Sequence, residues 1–251
     1  MSTISGLNSS VDYGTIASGK KINSAADDAA GLAISNKLES QADGLTTGAG
    51  NAKDGIAALN IADGALSGIS DSLQRIKELS VKAMNGLNSA SDLKAMQSEI
   101  GGLLEGIQQT SKGTQYNTKS LLDGSMATLD IANNPDGTGM SIKMVDSTLA
   151  SLGIEGYDVT KDFDIKDIDD AISKVNESRS SIGASSNALD YGYNYNTNSS
   201  LATTGAQSRI EDLDVPKAIS EVKKNEVLEE YKNAMLKSQM NQESLVTKLL
   251  Q

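Results

Sequence analysis

Chemistry in this chain has to be done without histidine or cysteine, because neither occurs among its 251 residues. Their absence removes the commonest general base, the commonest metal ligand and all thiol chemistry. Carboxylates, lysine, hydroxyls and tyrosine are left as the groups that could act. The densest acidic run is Asp162, Asp164, Asp167, Asp169 and Asp170. A calcium loop counted from Asp162 needs glycine at its sixth position and glutamate at its twelfth, and the sequence has Asp167 and Ser173 there. The run reads instead as a helix start, where carboxylates favour the positive end of the dipole. Asp27 and Asp28 are adjacent, and adjacent helix positions do not face one another, so they read as capping groups and not as an acid and base pair. The glycines at 44, 48, 50 and 55 lack the Gly-Lys-Ser/Thr ending of a phosphate loop. Lys20 and Lys21 read as a basic pair only. Tyr191, Tyr193 and Tyr195 alternate without a basic surround, so buried or interfacial packing is expected of them in place of base stacking. Arg75, Lys77, Glu78 and Glu99 read as a solvated charged face with marginal ion pairs or, more sharply, as a recognition patch around Leu79. The sequence therefore predicts no catalytic residue, no metal and no cofactor.

The elements that would position these residues are helical. Ser24 and Asp27 have capping-box spacing, and an apolar pattern through Ala29, Leu32, Ala33 and Leu38 follows, which predicts a helix starting there. After the glycines at 44, 48 and 50 a second pattern runs through Ile56, Leu59, Leu66, Ile69, Leu73 and Ile76. Its narrow, sustained stripe is the seam of a long bundle or coiled coil. Asn85-Gly86-Leu87-Asn88 interrupts it, Ser89 and Asp92 form another capping box, and Met96, Ile100, Leu103 and Ile107 follow as a hairpin partner. Gly101, Gly102 and Gly106 either weaken that partner or allow close helix approach. Between 120 and 165 the period changes, and Met126–Ile131 and Met140–Val145 flank the turn formers Asn133 to Gly137, predicting a small β-hairpin. Ile168, Ile172, Val175 and Ile182 restore helical spacing, with Arg179 at the next apolar position. After a pause near 208–215, Pro216 fits the first turn of a last helix. Its seam of Val222, Leu228, Tyr231, Met235, Leu245 and Leu249 needs a partner. The expected fold is mostly α, an elongated antiparallel bundle of long helices or coiled-coil rod with a β-hairpin subdomain. Its three helices lie near 51–85, 90–118 and 167–200, and Leu59, Leu66, Leu73, Ile100, Leu103, Ile172, Val175 and Ile182 are expected to pack where they meet.

Composition supports thin packing over a thick core. Aromatics are 3% of residues, with one Phe and no Trp, so Ala, Leu, Ile and Val must supply the buried area. A net charge of -11 argues against nucleic acid or an anionic membrane surface as partner. No apolar run approaches the length of about 20 residues that spans a bilayer, so membrane insertion is not expected. Nor does the N-terminus, with Ile4, Leu7 and Val11 at helical spacing, have the charge and apolar core of a signal peptide.

The stretch from Ser18 to Ile34, Ser-Gly-Lys-Lys-Ile-Asn-Ser-Ala-Ala-Asp-Asp-Ala-Ala-Gly-Leu-Ala-Ile, resembles the N-terminal signature of bacterial flagellins. Asn51–Ile56, Gly64–Leu66, Leu73–Leu79, Arg179–Ala184, Ser208–Asp212 and the Leu249-Leu250 pair resemble the family too, and in its order. The signature begins about fifteen residues earlier than is usual there, and Ala188 stands where the family usually has Arg. The resemblance implies a terminal α-helical core domain from 1–29 and 205–251, and a rod-like domain from 30–204 that includes the 120–165 hairpin region. It implies a secreted, extracellular subunit of the flagellum, exported by the type III route and packing into a filament with copies of itself for motility. A secreted or junction relative that does not polymerise alone is the alternative. An export chaperone and a filament cap are implied as partners. The family's contacts with the innate receptor Toll-like receptor 5, an Arg, a Leu and a Glu, fall on Arg75, Leu79 and Glu99.

Overall fold

The computed structural model describes residues 13–249, with side chains from 14 to 242. The element order is α1 (Tyr13–Ser18), α2 (Ala29–Ala83), α3 (Ala90–Gly113), β1 (Gln115–Tyr116), β2 (Lys119–Ser120), β3 (Thr128–Ile131), β4 (Met140–Lys143), α4 (Leu149–Leu152), α5 (Ile165–Glu211) and α6 (Val215–Leu249). Two compact units result. One holds the described residues up to Ser40 and from Ala202 on, and the other runs from Gln41 to Leu201. Ile4, Leu7 and Val11 lie outside the described residues.

Helix α2 has 55 residues, roughly 83 Å at 1.5 Å each. It passes through Gly44, Gly48 and Gly50, where the sequence pattern predicted a break between two segments. Its start also differs from expectation. Asp27 accepts hydrogen bonds from the Asn23 and Ser24 amides at 3.0 and 2.8 Å and from the Ser24 hydroxyl at 3.1 Å, but these bonds close a turn ahead of the helix. Asp28 is the true cap, accepting from the Gly31 amide at 2.9 Å, since the Asp at the N-cap satisfies an amide of the first turn. The Ser89 and Asp92 box does cap α3.

In the Gln41–Leu201 unit the core is a seam of alternating three- and four-residue steps, the heptad signature of supercoiled helices. On α2 it includes Leu59, Ala62, Leu66, Ile69, Leu73 and Ile76, all essentially without exposure. Ile100, Leu104 and Ile107 of α3 and Ile168, Ala171, Val175 and Ile182 of α5 face it. Leu103 and Ile172, expected at the meeting of the helices, are only partly buried at the core's edge, with Leu104 and Ala171 inside. That one-position shift moves Arg179 off the seam, where it pairs with Asp63 of α2 at 2.8 Å. Helix α5 starts close to the predicted place, its first turn capped by Asp164, which accepts from the Lys166 amide at 2.9 Å.

Two antiparallel hairpins follow α3. The β1–β2 turn places Asn117 and Thr118 at φ 46 and 65, the left-handed pair that a two-residue hairpin turn demands. Strands β3 and β4 pair Thr128 with Lys143 through Ile131 with Met140, within the strand-like segments read from the sequence. The tip of this hairpin sits on the helices. A Cβ at Gly48 would lie 2.5 Å from the Asn133 carbonyl oxygen, and one at Gly44 would lie 2.8 Å from Pro135. Asn51 and Asn196 donate to the Ala132 and Asn133 carbonyls at 2.8 and 2.5 Å. The loop after α4 is held by Gln97, whose side chain donates to the Tyr157 carbonyl at 3.1 Å and accepts from the Val159 amide at 2.8 Å. The Tyr157 hydroxyl donates to buried Ser80 at 3.0 Å.

Candidate interaction surfaces

The Gln41–Leu201 unit exposes a charged ladder. Because α3 turns back along α2, Glu99 comes to lie opposite Arg75. The guanidinium donates through Nε to Glu99 at 2.8 Å and through Nη1 to Glu78 at 3.0 Å, and its Nη2 reaches the same Glu99 oxygen at 2.8 Å. These bonds, to Glu99 first and then Glu78, raise the Arg75 pKa above its ordinary value, so the side chain is a fixed cation that presents a planar donor fork. Lys77 continues the ladder to Asp169 at 2.6 Å. All of these pairs are half exposed, which limits their worth to stability but leaves them open to a partner. Leu79, one turn beyond Arg75, is 4% exposed and packs into the core. Of the three residues grouped from the sequence, Arg75 and Glu99 therefore meet at the surface and Leu79 lies beneath it.

The terminal unit is closed by a clamp that sequence reasoning missed. The segments at Lys20 and Asp212 form an isolated antiparallel bridge, with Lys21 N donating to Glu211 O at 2.8 Å and Leu213 N to Gly19 O at 2.9 Å. Glu211 is buried, and its carboxylate is held by Lys20 Nζ at 2.5 Å, by buried Ser35 Oγ at 2.6 Å and by Gln207 Nε2 at 3.2 Å. The hydrogen bonds from Lys20 and then Ser35 hold its pKa below the usual carboxylate value. Lys21 donates to the Arg209 carbonyl at 3.0 Å. A lysine pair read from the sequence as a basic pair only thus holds two segments some 190 residues apart together. The usable signal was local: Ser35 and Glu211 are polar residues on the apolar sides of their helices.

Helix α6 carries the third surface. Asp214 caps it, accepting from the Lys217 amide at 3.2 Å, and Pro216 occupies its first turn, where a missing amide hydrogen costs little. Val222 is partly buried, whereas Leu228, Tyr231 and Met235 are exposed, Tyr231 by 64%. Val227, Leu236 and Met240 widen the uncovered apolar face. Leu245 and Leu249 belong to the same helix, but their side chains lie outside the described ones.

Among the described residues there is no group of three His, Cys, Asp or Glu side chains able to hold a metal ion, and no helix long and apolar enough to cross a membrane. Tyr157 has a pKa raised by burial, but it is a core residue with its hydroxyl spent on Ser80.

Residues 8–127 match the bacterial flagellin N-terminal helical region and residues 165–250 the bacterial flagellin C-terminal helical region. A flagellin of Bacillus subtilis strain 168 is 35% identical over 274 positions, covering 94% of this chain and 90% of its own length. A flagellin of Halalkalibacterium halodurans is 34% identical over 242 positions, covering 94% and 89%. A solved structure described as a flagellar hook-associated protein from Vibrio parahaemolyticus aligns over 74% of this chain and 100% of its own, with a TM-score of 0.62 at 16% identity, a likeness of fold.

Proposed function

This chain belongs to the bacterial flagellin family, and from that premise we propose how its surfaces divide the work of a filament subunit. The protein is a non-catalytic structural subunit that polymerises with copies of itself into the extracellular flagellar filament used for motility. The observation that carries the assignment of surfaces is the uncovered apolar face of α6. Against the described residues Leu228, Tyr231, Met235 and their neighbours remain in water, and so many large apolar side chains left exposed along one helix mark an interaction site.

The terminal domain, 1–29 with 205–251, and the rod-like domain, 30–204, each supply their own contacts between copies. Covering the α6 face drives those of the terminal domain. The same face binds an export chaperone before assembly, because a hydrophobic helix kept from aggregating needs a cover that the growing filament later replaces; the filament cap then receives the subunit at the tip. On the rod, Arg75 and Glu99 offer Toll-like receptor 5 a charged pair, with Leu79 supporting them from below. Seeded elongation tests the assembly role. Purified chain added to short filament fragments is expected to lengthen them, and Met235→Asp or Leu228→Asp is expected to stop this with the rod still folded. A parent chain that never lengthens seeds would instead be a secreted relative that does not polymerise by itself.

A further inference from the structure

Two stretches of the rod unit are nearly free of charge, in a chain where charged residues make up 22%. Between Glu78 and Asp92 the only charged residue is Lys82, and between Arg179 and Arg209 the only one is Asp190. Both are at the surface, where charge depletion is a mark of interface and not of core.

The first stretch builds an apolar knob. Val81 is exposed on the last turn of α2 and Met84 just past its end, and Leu87, on the turn that follows, is 91% exposed. This turn is tightly made. Asn85 Oδ1 accepts from the Leu87 amide at 3.1 Å, Asn85 O accepts from the Asn88 amide at 3.1 Å, and Asn88 Nδ2 donates to the Lys82 and Ala83 carbonyls at 2.6 and 3.3 Å. The end of the helix is thus satisfied by asparagines while a leucine is held out in water, a pre-ordered contact that loses little entropy on docking.

The second stretch builds a flat face on α5. Its inward side buries Leu189 and Asn196, and its outward side presents Tyr191 and Tyr195, one turn apart and 77% and 68% exposed, among Ala188, Asn194 and Asn198. Rigid tyrosines among small and amide side chains are the composition of adaptable recognition surfaces. The two sites lie at opposite ends of the unit. Lys53 of α2 stands over the Tyr193 ring, 4.7 Å from its centroid, and the 30 residues from there to the knob's base at Ala83 span about 45 Å of helix. They cannot meet within one chain.

We propose that the knob of one copy docks on the Tyr191 and Tyr195 face of the next, with Lys82 reaching Asp190 across the joint. The proposal rests on the filament reading and names one of its contacts. Two different patches at opposite ends make a heterologous contact, which propagates without closing. Each site carries one charge, and the two are opposite in sign. The contact is also small. Two tyrosines bring roughly 150–250 Å² each, which with the knob reaches only the low end of specific interfaces and suits a joint repeated beside others in a polymer.

The chain has no cysteine of its own, so a Leu87→Cys, Tyr195→Cys double variant reports the joint directly. Elongated from parent seeds and mildly oxidised, it is expected to give a ladder of dimers, trimers and longer species, whereas Leu87→Cys with Glu105→Cys gives none. Lys82→Glu and Asp190→Lys, each alone, are expected to slow elongation about tenfold, and the two together to restore it. Filaments that grow normally but yield no ladder, or single charge reversals without effect, overturn the joint while leaving the filament reading intact. A parent chain that fails to elongate seeds overturns both.

Discussion

Replacing Glu211 by Gln keeps the shape of the terminal clamp and removes its charge. The carboxylate accepts from Lys20 at 2.5 Å, from Ser35 at 2.6 Å and from Gln207 at 3.2 Å. Ser35 is fully buried, so that bond is little screened, whereas Lys20 is half exposed and recovers water when released. A hydrogen bond to a buried charge is worth about 1.5–3 kcal/mol, and an amide oxygen retains about half of it. The loss expected from the Ser35 and Gln207 bonds together is therefore about 1.5–3 kcal/mol, or roughly 10- to 150-fold in an opening equilibrium. Native-state hydrogen exchange at the Lys21 and Leu213 amides, whose acceptors span the bridge, reads that opening. The same amides give the pH dependence. Folding lowers the Glu211 pKa from 4.5, so its contribution is fully present above about pH 4.5 and is lost as pH falls through the lower folded value. Lys20 is raised from 10.5 by its hydrogen bond to Glu211, so its contribution is full below about pH 10.5 and is lost as pH rises through the higher folded value. Protection at the two amides should be flat between those limits. Equal protection in the parent and Glu211→Gln at neutral pH would refute the reasoning.

Three further outcomes are expected. Leu66→Ala, at a fully buried seam position, should cost about 2–5 kcal/mol in denaturant unfolding, and a cost below about 1 kcal/mol would contradict the packing. Gly48→Ala should destabilise, because its Cβ meets the Asn133 carbonyl at 2.5 Å, whereas Gly102→Ala, with open space around it, should stabilise by up to about 1 kcal/mol; the same sign for both would undo the account of the hairpin's seat. Arg75→Ala should weaken binding of the folded monomer to the receptor ectodomain by about tenfold or more, more than Glu78→Ala does, since Glu78 sits to one side of the Arg75 and Glu99 pair; equal affinity for parent and Arg75→Ala would remove the site.

Much of the fold was legible because a long helical seam repeats a local rule many times. Leu59, Leu66, Leu73, Ile100, Val175 and Ile182 could be placed from spacing alone, and all six are buried. The same rule erred by one position on two helices, where Leu104 and Ala171 take the inward places beside Leu103 and Ile172. Adjacent apolar residues leave the local phase of a helix ambiguous, and only the packing partner fixes it. Glycine misled for a different reason. At 44 and 48 it reads as a helix break, yet α2 continues, because those positions must admit the Asn133 and Pro135 backbone. Tertiary contact outweighs a propensity penalty of about 1 kcal/mol.

The surfaces were less legible than the core. Arg75 and Glu99 could be paired once two helices were placed side by side. Leu79 could not be assigned to surface or seam, since both phases of α2 carry leucine. The Lys20 and Glu211 clamp depends on two segments meeting from opposite ends of the sequence; Ser35 and Glu211 each signal locally that a polar partner is needed, but no local pattern says which partner it is. The exposed tyrosines at 191 and 195 were expected to pack, and within one chain only Tyr193 is partly covered, by Lys53.

The central claim is that the uncovered apolar face of α6 is covered by other copies of this chain in a filament. Electron microscopy of fluorescently or size-marked seeds, after addition of the purified chain, tests it most directly. The account predicts that the parent extends the seeds into filaments many times their starting length and that Met235→Asp, with an unchanged rod-unit hydrogen-exchange pattern, does not. Seeds that Met235→Asp lengthens as fast as the parent does would contradict it.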